Sequence, residues 1–144
     1  SCSQNYVKAA ISCLERSCKL SPFDARVHNN LGIALQRLLA SGENVAFDGD
    51  LQERIGYHFW TAVSILEKSS SAGCDVRFDE CSSRLNLGLW FANGDRFREA
   101  AMVLDAPCMD VEGSMQDSMT KNEVLERILS DAAGLKRFCN SKCK

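Results

Sequence analysis

Proline is nearly absent. Pro22 and Pro107 are the only two in 144 residues, so little interrupts a helix and long helices are permitted. An excess of charge is also missing. The formal net charge is −2, which leaves no electrostatic footprint for nucleic acid or an anionic lipid surface. No apolar run approaches the roughly 18–20 residues needed to span a bilayer. Histidine is scarce, with only His28 and His58. No glycine-rich loop of the phosphate-cradling kind occurs; Gly94-Asp95 is a single turn. No segment alternates apolar and polar residues convincingly, so strands are not expected. What remains is 45% hydrophobic and 25% charged, ordinary for a folded domain and unlike a disordered chain.

Cysteine is plentiful. Eight occur: Cys2, Cys13, Cys18, Cys74, Cys81, Cys108, Cys139 and Cys143. An even count fits a disulfide framework in an oxidising compartment, and it equally fits small apolar residues scattered through helices. Cys13 and Cys18 lie five apart on a predicted helix. Their Cα atoms are then about 8 Å apart, beyond the ~7 Å that a disulfide tolerates. Each needs a partner elsewhere if it is bridged. The chain starts Ser1-Cys2-Ser3-Gln4 rather than with methionine. Together with the cysteines, that start tilts the expected location, otherwise open, towards a processed organellar or lumenal/secretory chain.

Apolar periodicity predicts six helices. The first runs from Asn5 to Leu20, with Val7, Ala10, Ile11, Leu14 and Cys18 on one face. Ser21-Pro22-Phe23-Asp24 breaks it, and Asp24 suits the positive start of a second helix reaching Leu39. Ser41-Gly42 ends that helix. Glu43 to Gly49 reads as a loop. Asp50, with Glu53 three residues on, opens a third helix bearing Leu51, Ile55, Phe59, Ala62, Val63 and Leu66. Cys74, Val76 and Phe78 fall in a short connector, and Asp79 caps a fourth helix over Glu80 to Ala92. A fifth covers Arg96 to Leu104 and stops before Pro107. Residues 108–119 read as an irregular linker. Thr120 with Glu123 caps a final helix over residues 120–138. The expected fold is all-α: stacked antiparallel hairpins closed by a C-terminal helix, forming one domain over residues 1–144.

One phrase occurs twice. Asn30-Leu31-Gly32-Ile33-Ala34-Leu35 and Asn86-Leu87-Gly88-Leu89-Trp90-Phe91 each place a glycine between large apolar residues. Glycine there admits a partner helix at close range, at a propensity cost of about 1 kcal/mol against alanine. The phrase resembles the first helix of a tetratricopeptide repeat. Ala10, Leu14, Ser17 and Pro22 look like the end of a preceding repeat, and Gly94-Asp95 with Glu99-Ala100 look like the turn and second helix of a later one. The resemblance covers residues 5–40 and 82–105. Gly32 and Gly88 are 56 residues apart against a family period of ~34, so an insertion around residues 41–50 is expected. The array is degenerate, about two and a half hairpins.

The resemblance implies a protein-binding face on the first helix of each hairpin. By register that face holds Arg26, Asn29, Asn30, Ile33 and Arg37, then Leu85, Asn86, Leu89 and Asn93. The terminal-carboxylate clamp of chaperone-binding members is missing, because Asn29 and Ile33 occupy its positions. Adjacent Phe59-Trp60 and Trp90-Phe91 cannot both point inward, which makes Trp60 and Trp90 candidates for exposed aromatics that anchor a partner.

No catalytic set, metal site or cofactor is expected. His28 and His58 read as core or boundary residues. Cys139 and Cys143 lack a second ligand pair at zinc spacing. Asp48-Gly49-Asp50 lacks the remaining acidic positions of a calcium loop. The function expected is a non-catalytic interaction or assembly module, a subunit or adaptor in a larger complex. Its partners are proteins, not nucleic acid, and a partner within a membrane complex stays open. The alternative is a small disulfide-stapled secreted or lumenal helical protein that carries a ligand.

Overall fold

The computed structural model describes residues 2–42, 49–69, 74–109 and 123–144. Among them the chain is all-α, with six α-helices and no strand: α1 Cys2–Leu20, α2 Ala25–Ala40, α3 Gly49–Lys68, α4 Cys74–Asn93, α5 Phe97–Leu104 and α6 Glu123–Lys142. A single 3-10 turn, Pro107–Met109, follows α5. The helices group into two compact units, Ser1–Lys68 and Ser69–Lys144.

In the first unit α2 packs against both α1 and α3. The α1–α2 turn is short because Pro22 cannot continue a helix and Asp24 starts the next one. Asp24 Oδ1 accepts the backbone N–H groups of Arg26 at 3.0 Å and Val27 at 3.4 Å. At the other end of α2, Gly42 adopts φ +68°, the left-handed conformation that glycine reaches without a Cβ penalty. The core joins Ile11 of α1, Leu31 and Leu35 of α2, and Ile55, Phe59, Ala62 and Val63 of α3. Phe59 is fully buried, and burying a side chain of this kind contributes roughly 1.5–3 kcal/mol. Its ring lies on Gly32, where a Cβ would come within 2.5 Å of it. Any larger residue at position 32 would push α2 and α3 apart.

In the second unit α4, α5 and α6 each pack against the other two. Cys81, Leu104, Met109, Leu129 and Ala132 form the core, with Leu85, Leu125, Ile128 and Leu135 against it. Gly88 faces Leu104, whose side chain would stand 3.1 Å from a Cβ there. Both glycines of the duplicated phrase thus lie on the first helix of a hairpin, against a large residue of the second. Arg84 is buried, paired with Glu80 at 3.0 Å and donating to the Val103 carbonyl at 3.1 Å. Asp95 takes φ +58° in the α4–α5 turn, which a short polar side chain tolerates.

Two boundaries differ from the sequence reading for tertiary reasons. α4 begins at Cys74, so the expected connector is helical and Asp79 lies inside the helix. Arg77 donates Nε and Nη2 to the Cys108 carbonyl, each at 3.2 Å. That anchor to the 3-10 turn favours the added helix over the local capping preference of Asp79. α6 continues past Phe138 to Lys142. Phe138 packs edge-on against Phe97 of α5 at 5.8 Å, and the next residue, Cys139, is fully buried. Residues 43–48 of the expected loop and residues 110–119 of the expected linker lie outside the described residues, as does Thr120.

Candidate functional site: a three-helix cysteine–histidine centre and a groove beside it

The first unit places Cys18 of α1, His28 of α2 and His58 of α3 together. One ligand atom from each, the cysteine sulfur and a ring nitrogen of each histidine, lies within 4.8 Å of the other two. His28 is buried, while Cys18 and His58 are half-buried. The imidazole rings meet with 3.0 Å between their Nδ1 atoms. His28 Nε2 is 2.9 Å from the Pro22 carbonyl oxygen. A carbonyl only accepts, so His28 carries its hydrogen on Nε2 and turns the Nδ1 lone pair to His58. His58 Nδ1–H then donates to that lone pair.

The electrostatics of this centre are specific. Burial, helped by His28 and Arg54, lowers the His58 pKa to about 4. The ring is therefore neutral at neutral pH. Burial first, then the charges of Asp24 and Glu15, pushes the Cys18 thiol above its ordinary range. An activated nucleophilic thiol needs the opposite setting, a positive neighbour that lowers its pKa. Imidazole nitrogens and a cysteine sulfur brought together in this way are donors suited to a metal ion.

Along the same two helices runs a half-open groove of about 470 Å³. Tyr6, Val7, Ala10 and Leu14 of α1 form one wall, and Asn30, Ile33, Ala34 and Arg37 of α2 the other. Of the residues that the repeat resemblance selects on α2, Asn30, Ile33 and Arg37 line this groove. Arg26 is exposed and Asn29 half-buried outside it. On α4, Leu85 packs against the core of the second unit, so it is not part of an open face. Asn86 is half-buried, while Leu89 and Asn93 are exposed. Trp60 is 57% exposed beside Tyr57 at 60%, one turn apart on α3. Trp90 is half-buried, edge-on to Phe91 at 5.1 Å, and Arg96 covers that phenyl ring.

The seven cysteines whose side chains are described, all but Cys74, are free thiols, so none of these seven staples the fold. Cys81 and Cys108 are neighbours in the second unit, where Cys81 Sγ donates to the Cys108 carbonyl at 3.1 Å. A hydrogen bond from the Cys108 thiol holds Cys81 below the ordinary thiol range, with the Arg77 charge adding to it, and the same contact pushes Cys108 up. Cys139 is buried and Cys143 exposed. Burial pushes the Cys139 thiol up.

The cysteine–histidine centre was not read from the sequence, where the two histidines stand as isolated residues without a cysteine at ligand spacing. One signal was available. Cys18 precedes the Ser21–Asp24 turn by three residues, and His28 follows it by four. In an antiparallel hairpin such positions face one another. His58 carries no comparable signal, since only the packing of α3 on α2 fixes its register.

No protein-family model matches the chain, no curated protein matches it, and no solved structure matches its fold.

Proposed function

We propose that the chain is a non-catalytic, tetratricopeptide-like interaction module, a structural subunit or adaptor that holds an apolar helical segment of a protein partner. The observation that carries this reading is the α1–α2 groove. Val7, Leu14 and Ile33 give it apolar walls, all half-buried. Its volume of about 470 Å³ is within the range of ligand sites, roughly 300–1,000 Å³. Because it is half-open and runs along two helices, it favours the exposed face of a helix over an enclosed small molecule. Asn30 and Arg37 supply polar groups along its wall, and Arg37 favours an acidic residue on the partner segment. Gly32 and Gly88 support the repeat reading, since each sits at the close approach of its hairpin. The raised Cys18 thiol and the neutral His58 support a non-catalytic role, because neither is poised for nucleophilic or acid–base work at neutral pH.

Site-specific photo-crosslinking in the native source tests the proposal. A photoreactive residue at Leu14 or Ile33 is expected to capture one protein, joined through apolar residues spaced three and four apart. The same probe at Met102, an exposed residue of the second unit, is expected not to capture it. Capture of a second copy of this chain would make the groove a homodimer surface. Equal capture from all three positions would contradict groove binding.

A further inference from the structure

We infer that Cys18, His28 and His58 form a binding site for a borderline divalent transition-metal ion, Zn2+ foremost, with one ligand supplied by each helix of the first unit. The donor set carries the choice of ion. Two imidazole nitrogens and one cysteine sulfur suit Zn2+, whereas Ca2+ and Mg2+ take oxygen ligands. Tetrahedral zinc with Zn–N near 2.0–2.1 Å and Zn–S near 2.3 Å sets its ligands about 3.3–3.6 Å apart. The two Nδ1 atoms are already 3.0 Å apart, and the Cys18 sulfur lies within 4.8 Å of a ring nitrogen of each histidine. Closing the remaining gap needs about an ångström of side-chain movement, which a half-buried cysteine can supply by rotating χ1.

The second independent observation is the Pro22 carbonyl. A metal-binding histidine characteristically donates its other ring N–H to a carbonyl or carboxylate, which fixes the ring and its tautomer. His28 does this with Pro22 at 2.9 Å, leaving Nδ1 aimed at the centre. The cation takes the place now held by the hydrogen between the two rings. His58 moves that hydrogen to Nε2, Cys18 releases its thiol proton to solvent, and both Nδ1 atoms and the sulfur bind the ion. One proton leaves per ion bound, and nothing is oxidised or reduced. Water completes the shell, since Cys18 and His58 are only half-buried.

The consequence is mechanical. Leu14 lies one turn before Cys18 on α1, and Asn30 lies two residues after His28 on α2, so the ion ties together the two walls of the groove. It also fixes α3 to both. The inference stands whether or not the groove binds a protein.

The test is titration of the reduced, full-length, metal-stripped chain with Zn2+ against a chromogenic chelator. One equivalent is expected to bind with release of one proton. Cys18→Ser, His28→Gln and His58→Gln are each expected to weaken binding by about 100-fold or more, at least the upper end of what loss of even an outer partner costs. Cys139→Ser with Cys143→Ser is expected to leave it unchanged. Co2+ in the wild-type chain gives a readout that no variant's folding can obscure: a thiolate-to-cobalt charge-transfer absorption together with tetrahedral d–d bands. Absence of that absorption, or zinc binding that survives all three ligand substitutions, would overturn the inference.

Discussion

His28 and His58 stand 30 residues apart in sequence and 3.0 Å apart at their Nδ1 atoms. The pair exists because α2 and α3 approach closely where Gly32, one turn along α2 from His28, meets Phe59, the residue next to His58 on α3. Packing therefore comes first, and the chemistry of the centre follows from it.

In metal-free protein His58 is expected to stay neutral until the pH falls to about 4. The unfolded chain takes up that proton near pH 6.5. Between these values the unfolded state binds more protons than the folded one, so stability declines as the pH is lowered through the window and rises again as it is restored. This contribution is complete above pH 6.5 and fully lost below about 4. Imidazole resonances followed by NMR would check it, and a His58 midpoint near 6.5 would contradict the burial assigned to the ring.

The two glycines of the duplicated phrase are expected to respond differently to alanine. At Gly32 the added Cβ meets a buried aromatic ring at 2.5 Å. Overpacking of that kind costs about 1–3 kcal/mol, more than offsetting a helix-propensity gain of about 1 kcal/mol. At Gly88 the nearest atoms belong to a leucine side chain at 3.1 Å, which can shift by a few tenths of an ångström. Gly88→Ala should therefore lie within about 1 kcal/mol of wild type. Denaturant unfolding measures both, and combining Gly32→Ala with Phe59→Leu should recover part of the loss. Equal effects at the two sites would show that the close approach does not differ between hairpins.

The thiol inventory separates this account from a disulfide-stapled fold. Protein purified without reductant and denatured in guanidinium is expected to show at least seven reactive thiols, matching the seven free cysteines other than Cys74. Six or fewer would place a bridge among them.

Much of the first unit was legible because its signals are local. The apolar stripe of α2, the Asp24 cap and the Ser41-Gly42 stop each act within a turn of helix. The duplicated phrase marked Gly32 and Gly88 as points of close helix approach. The start of α4 was not legible, since Arg77 finds its partner at the Cys108 carbonyl, 31 residues away. The metal-ligating arrangement was hidden for a similar reason. Cys18 and His28 mirror one another across the Ser21–Asp24 turn, but His58 obeys no spacing rule, because only the packing of α3 on α2 aligns it. The same holds for Leu85, which the repeat register assigns to an open face and which the packing of the second unit sets, half-buried, against its core.

The most direct measurement of the central claim is X-ray absorption at the zinc edge of the chain loaded with one equivalent of Zn2+. The account predicts one sulfur near 2.3 Å and two imidazole nitrogens near 2.0–2.1 Å, with a light-atom fourth ligand from water. A shell of several sulfurs, or one of oxygen and nitrogen without sulfur, would contradict it.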